Sequence, residues 1–212
     1  VALIGGIVGK FMRVPVVMHK RYATSYGILD RIGEKLLDRV ILVSKATQWD
    51  FAPRVKQVLI YNGVDLGTAS VPEMEVKILQ ANLGLSPEDI LVGVATRITP
   101  EKGIHLLIEA MAKLRDLPQI KLIVVGGPYF PADVAYMDQL KHSAKNLGVG
   151  DRVIFTGFVE DTRAIMSLLD IILVPSIIPE ACPRTIIEAM AAGKPVIATS
   201  LGGSKELVTE DT

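Results

Sequence analysis

From Ile90 to Ala198 short β-branched runs alternate with stretches of helical period, and this alternation limits the fold more than any other feature of the chain. Strands buried on both faces read as continuous Val/Ile/Leu runs, and helical crossovers between them force a parallel sheet covered on both faces. The predicted strands are Ile90 to Ala95, Lys121 to Val125, Arg152 to Phe155, Ile171 to Val174 and Pro195 to Ala198. The predicted helices are 103–115, 132–147, 161–169 and 184–192. A repeat of roughly 25 to 30 residues suits βα units. Helix 103–115 is read with Leu107, Met111 and Leu114 on its apolar stripe, and helix 184–192 ends at Gly193 with Pro195 just beyond.

Before Ile90 the rhythm is looser. A helix over 1–12, a strand Val14 to Met18, a helix 27–38, a strand Val40 to Val43, a helix 45–52 and a strand Gln57 to Tyr61 supply only part of a sheet. Asn62-Gly63-Val64-Asp65 and the polar stretch through Glu88, with one helix at 73–82, read as turn and linker chemistry. The division expected is a partial first domain, 1–65, and a second domain, 66–212. The chain opens without Met and closes at Thr-Glu-Asp-Thr just past a helical start, so it is read as a fragment, weakly active or inactive alone.

Of the 212 residues 50% are apolar and 22% charged, with 23 basic and 23 acidic side chains in balance. Such a composition excludes disorder and disfavours a nucleic-acid partner held by charge. The opening apolar run is cut at Lys10 and Arg13, short of the ~20 residues a spanning helix needs. Cys182 has no internal partner, which excludes a disulfide scaffold and fits a cytoplasmic setting. With His19, His105 and His142 scattered, no metal site is expected.

Ligands of open parallel sheets bind outside the carboxyl ends of the strands, so the loops there hold the candidates. Arg97 follows directly on strand Ile90 to Ala95 and Lys102 comes at the start of the next helix; two cations beside a helix N-terminus make a diphosphate site, or two ordinary surface charges. Glu180 and Glu188 form a Glu-x7-Glu pair. Glu188 lies in an otherwise apolar helix and needs hydrogen-bond donors that ligand hydroxyls could supply, while Glu180 precedes that helix and could bind a sugar or move a proton. The alternative is a helix cap and a surface glutamate. Gly126-Gly127 and Gly202-Gly203, each after a strand, could admit a phosphate to backbone amides or could simply turn the chain. Neither pair forms a dinucleotide fingerprint or a Walker A loop. His19 follows a strand and either faces a cleft or is structural. Cys182, two residues after Glu180, is a packing residue rather than a nucleophile, since no His is nearby in sequence.

Together these pieces resemble the glycosyltransferase family 4 pattern of the GT-B fold. Val43-Ser44 and Ile60 through Asp65 resemble the passage from first to second domain. Arg97-Ile-Thr-Pro-Glu-Lys102-Gly103 resembles the Arg and Lys pair that holds the donor diphosphate, and Thr156-Gly157-Phe158-Val159 the segment whose backbone meets the nucleotide base. Pro175-Ser176 through Ala191 is similar to the Glu-x7-Glu region, and Gly202-Gly203 with Glu206 to the late glycine pair. Thr96 stands where the family commonly has Gly, Pro183 where a Gly often meets the donor sugar, and Lys20 where an acidic residue is frequent.

The resemblance implies an α/β fold of GT-B type, with a Rossmann-like parallel sheet preceded by part of a second such domain. It implies a retaining hexosyltransferase using a nucleotide-diphosphate sugar, UDP- or GDP-linked, with no separate cofactor. Arg97 and Lys102 would neutralise the leaving diphosphate, Glu188 would bind ribose, Glu180 would lie by the donor sugar, His19 would fall on the first domain's His, and Gly126, Gly127, Val159, Gly202 and Gly203 would line the donor. The acceptor would be a sugar or a lipid-linked sugar, with peripheral contact at the inner membrane face through a missing N-terminal part. The alternatives are a GT-B nucleotide-sugar epimerase and a non-catalytic nucleotide-sugar-binding subunit.

Overall fold

The computed structural model describes residues 2–22, 28–48, 56–66 and 71–209. Two compact units make up the chain: Val1–Gly63 with Pro179–Pro183 and Ser200–Thr212, and Val64–Ile178 with Arg184–Thr199.

In the first unit helix α1 (Ala2–Met12) precedes strand β1 (Val17–Lys20), helix α2 (Ile28–Glu34), strand β2 (Arg39–Leu42), a 3-10 turn at Lys45–Thr47 and strand β3 (Lys56–Leu59). The strands pair in parallel in the order β1-β2-β3, with His19 opposite Ile41 and Lys20 opposite Leu42. Val40, Leu42, Leu37 and Ala2 form its apolar cluster. Of the expected helix 45–52, the described residues form a 3-10 turn over 45–47, and residues 49–55 lie outside the described residues. That turn needs an external acceptor for its first amides, and helix α8 (Ser204–Leu207) brings one: Glu206 accepts the N–H groups of Lys45 and Ala46 at 2.8 and 2.7 Å. Lys20 and Glu34 are each only 2% exposed. Burial pulls the Lys20 ammonium down to about 8 even though the charge of Glu34 raises it.

The second unit runs α3 (Glu73–Asn82), β4 (Ile90–Ala95), α4 (Ile104–Lys113), β5 (Ile120–Val125), α5 (Pro131–Asn146), β6 (Val153–Gly157), α6 (Arg163–Leu168), β7 (Ile171–Val174), α7 (Arg184–Ala191) and β8 (Val196–Ala198). Its five strands are parallel in the order β6-β5-β4-β7-β8, so the direction of winding reverses at β4. Strand β5 shows why the sequence carried no alternation: Leu122 and Val124 join the cluster under α4 and α5, while Ile123 and Val125 join the one under α6 and α7. The four positions Leu122 to Val125 are buried, on one face or the other.

The buried stripe of α4 is Ile104, Ile108 and Met111, not the Leu107-Met111-Leu114 stripe read from the sequence; Leu107 is half-buried and Leu114 exposed. The sheet takes the i, i+4, i+7 line that begins at the first helical residue. Arg152, expected in strand β6, instead ends a 3-10 turn and closes the end of α4, donating to the carbonyl oxygens of Met111, Leu114 and Leu117 at 2.8, 2.9 and 3.1 Å.

Candidate functional site

At the carboxyl ends of β4, β5 and β6 lies a cavity of about 220 Å³ lined by segments 95–97, 125–127 and 158–159, with Tyr129, Thr162 and Glu188. It lies beside the strand where the winding reverses, the position that open parallel sheets leave for ligands. Its volume is below the ~300 to 1,000 Å³ of pockets that enclose a whole drug-sized ligand, so it suits one end of a larger molecule.

Gly126 makes this approach of three strand ends sterically feasible. Its φ is +140°, and a Cβ there would sit 1.9 Å from the carbonyl oxygen of Thr96. Its N–H donates to the carbonyl oxygen of Gly157 at 3.0 Å, joining the ends of β5 and β6. Arg97 leaves the end of β4 with an exposed side chain, its Nη2 3.9 Å from Glu101 Oε1. Lys102 closes the 3-10 turn Pro100–Lys102, two residues before α4. The turn is fixed from the β7 side, because Ile177 N–H donates to the Glu101 carbonyl at 2.9 Å.

Glu188 enters the cavity from α7. Thr185 Oγ1 donates to the Ala95 carbonyl at 3.0 Å, pinning the helix start to the end of β4, and Glu188 follows one turn later on the same face. Its Oε1 is 3.0 Å from Arg184 Nη2, so the donor anticipated from ligand hydroxyls is in the first place a neighbour on the helix. Phe158 and Val159 reach the cavity just past the end of β6. The structure thus brings Arg97, Gly126, Gly127, Val159 and Glu188 to one cavity. Tyr129, Phe158 and Thr162 join them without having been singled out as individual site residues; the sequence signal for Tyr129 was its place four residues past the strand β5.

Glu180, Gly202, Gly203 and His19 belong to the first unit. Glu180 and Gly202 form a parallel bridge, and Gly203 N–H donates to the Glu180 carbonyl at 2.7 Å, so that amide is engaged within the unit. A Cβ on Gly203 would lie 1.9 Å from the Ala181 carbonyl oxygen, so close backbone packing accounts for this glycine. His19 is exposed near the end of β1. Cys182 is buried and its carbonyl accepts from Asn62 Nδ2 at 3.2 Å. Among the described residues no group of three His, Cys, Asp or Glu side chains is placed to hold a metal ion, and no helix is long and apolar enough to cross a membrane.

Residues 76–212 match the sequence model of the glycosyl transferases group 1. The chain belongs to this family. It is 31% identical over 182 residues to an uncharacterized glycosyltransferase of Methanocaldococcus jannaschii, covering 82% of this chain and 45% of that protein. To the 2-deoxystreptamine glucosyltransferase of Streptomyces kanamyceticus it is 33% identical over 171 residues, covering 79% and 42%. The chain spans about half the length of these relatives or a little less. Among solved structures, Anabaena HepE in complex with UDP superposes with a TM-score of 0.89 at 32% identity, covering 99% of this chain and 60% of that one. HepE has also been solved with UDP-glucose. Sucrose-phosphate synthase of Thermosynechococcus elongatus superposes at 0.77 with 26% identity, covering 95% and 55%. The fold is that of the GT-B glycosyltransferases, parallel sheets flanked by helices.

Proposed function

We propose that this chain is the donor-binding part of a retaining hexosyltransferase that takes its sugar from a UDP-sugar. The observation carrying the reading is that a cation, Arg97, and a carboxylate, Glu188, line one cavity at the ends of β4, β5 and β6. A nucleoside diphosphate presents the matching pair, phosphate oxygens that accept and ribose hydroxyls that donate. The UDP complexes of HepE support uracil over guanine as the base.

In this reading Arg97 and Lys102 act when the bond from the anomeric carbon to the diphosphate oxygen breaks. Negative charge then grows on the leaving group, and fixed cations stabilise it more than they stabilise the intact donor. Glu188 holds the ribose and so fixes the diphosphate relative to Arg97. The acceptor, a hydroxyl of a sugar or a lipid-linked sugar, bonds to the anomeric carbon from the face the diphosphate leaves and gives its proton to the departing diphosphate oxygen, giving retention. Glu180 is assigned to the donor sugar and His19 to the acceptor side. Gly202 and Gly203 hold the backbone around Glu180.

Calorimetric titration of the 212-residue chain with UDP, GDP and ADP tests the binding half. UDP is expected to bind most tightly, with affinity falling at least tenfold in Arg97→Ala/Lys102→Ala and several-fold in Glu188→Gln, whose charge-assisted bonds weaken. Equal affinities in wild type and the double variant would reject the site. Anomeric analysis of the product made by the whole protein tests retention; sugar epimerised without any acceptor would point to an epimerase, and donor binding without turnover to a binding subunit.

A further inference from the structure

We infer that Tyr129 is the aromatic wall for the nucleobase, and that Asp133 is the positioning residue that sets it, an assignment that rests on the nucleotide reading above. Tyr129 and Phe158 line the same cavity, yet they are 74% and 78% exposed. Two large aromatic side chains left so open in the lining of one cavity leave apolar area that a flat ring can cover. Base–aromatic stacking rewards that burial.

Tyr129 is not on a loose loop. Asp133 is 8% exposed, and its Oδ2 accepts the N–H groups of both Tyr129 and Phe130 at 3.1 and 2.9 Å. The Asp133 N–H returns a bond to the Phe130 carbonyl at 2.9 Å, closing the turn ahead of α5. The Phe130 ring meets the Tyr129 ring edge-on, with centroids 5.5 Å apart and planes at 65°. A Cβ on Gly127 would come within 3.2 to 3.3 Å of Phe158, so the segments that carry Tyr129 and Phe158 meet closely at this glycine. The carboxylate thus fixes two consecutive amides, and with them the point from which the Tyr129 side chain starts. A preset wall binds a ring with less loss of freedom than a mobile one.

The placement predicts which part of the ligand Tyr129 touches. Arg97 belongs to the phosphates, so its loss should weaken UDP and leave uridine unchanged. Tyr129 belongs to the base, so its loss should weaken both ligands by the same factor.

The test is ligand-detected NMR and calorimetry of the full chain with UDP and uridine, comparing Tyr129→Ala, Tyr129→Phe, Asp133→Ala and Asp133→Asn. Tyr129 is exposed, so its variants fold. Tyr129→Ala is expected to lose about tenfold for both ligands, and Tyr129→Phe to retain wild-type affinity. Asp133→Ala should reproduce much of the Tyr129→Ala loss, and Asp133→Asn, which keeps an acceptor oxygen, should recover most of it. Unchanged uridine affinity in Tyr129→Ala overturns the base assignment while leaving the nucleotide site standing. Full affinity in a folded Asp133→Ala overturns the positioning role. A wild-type chain that binds neither UDP nor uridine overturns the nucleotide reading and this inference together.

Discussion

Tyr61 and Glu206, 145 residues apart in sequence, are joined by a hydrogen bond of 2.7 Å from the phenol hydroxyl to the carboxylate Oε2. The same carboxylate accepts the N–H groups of Lys45 and Ala46. Burial pushes the Glu206 carboxyl up, but these three donors outweigh it and hold it below its ordinary 4.5. The hydrogen bond raises the Tyr61 phenol above 10.0. A depressed carboxyl contributes stability that is present above 4.5 and lost as pH falls through its folded value; a raised phenol contributes stability present below 10.0 and lost as pH rises through its own. Glu206→Gln is therefore expected to cost about 1 to 2 kcal/mol at neutral pH, and to flatten the acid limb of the urea midpoint measured against pH. An unchanged acid limb would show that Glu206 does not set it.

Arg152 gives a second prediction. Its guanidinium reaches three carbonyl oxygens at the end of α4 through two nitrogens, a fan that an ammonium on a flexible stem does not reproduce. Arg152→Lys is expected to destabilise the second unit by about 1 to 2 kcal/mol and Arg152→Ala by about 2 to 4 kcal/mol, since the carbonyls are left without their donor. Chemical denaturation followed by circular dichroism reads both.

Lys20 and Glu34 make a third. Each is buried, and removing one charge strands the other. Lys20→Met should be strongly destabilising, whereas Lys20→Met/Glu34→Leu should recover most of the loss. Because the folded ammonium titrates at about 8 rather than 10.5, the unfolded chain holds the extra proton between those values. This side chain therefore makes stability rise with pH across that window. Thermal melts at pH 7.5, 9 and 10.5, compared between the wild type and the double variant, isolate the effect.

Gly126→Ala is the fourth. The new methyl would overlap the Thr96 carbonyl in a backbone conformation an L side chain rarely adopts. A loss of about 1 to 3 kcal/mol is expected, together with weaker UDP binding as the ends of β4 and β5 move apart. Wild-type affinity in the folded variant would show that the spacing of the two strand ends is not needed for binding.

Much of the second unit was legible in the sequence because its inner strands β4, β5 and β7 are covered on both faces and its helices on one. The runs 90–95 and 171–174 match the observed strands, and 73–82 the observed helix. Of the site residues singled out, Arg97 and Glu188 line the cavity, whereas Lys102 and Glu180 are not among its lining residues. What was hidden depended on tertiary partners. Arg152 reads as a strand residue until the end of α4 is seen beside it, and the 3-10 turn at 45–47 depends on an acceptor supplied by residue 206. The stripe of α4 was misplaced because Leu107 and Leu114 fit a helical period as well as Ile104 and Ile108 do; only the position of the sheet distinguishes them. Tyr129 and Asp133 escaped notice because their cooperation runs through backbone amides, which carry no sequence signal of their own.

The bond from Thr185 to the carbonyl of Ala95 works as a ruler. Arg97 is two residues beyond one of its ends and Glu188 three residues beyond the other. On the nucleotide reading proposed above, the spacing of the cation assigned to the phosphates and the carboxylate assigned to the ribose would therefore follow from the sheet and the start of α7. On that reading, substitutions in the loops after β5 and β6 would retune which base is accepted while the Thr185 bond stays in place. Recognition of the base and grip on the diphosphate would then be separately adjustable, and a library confined to residues 127–130 and 158–162 tests whether the first changes without the second.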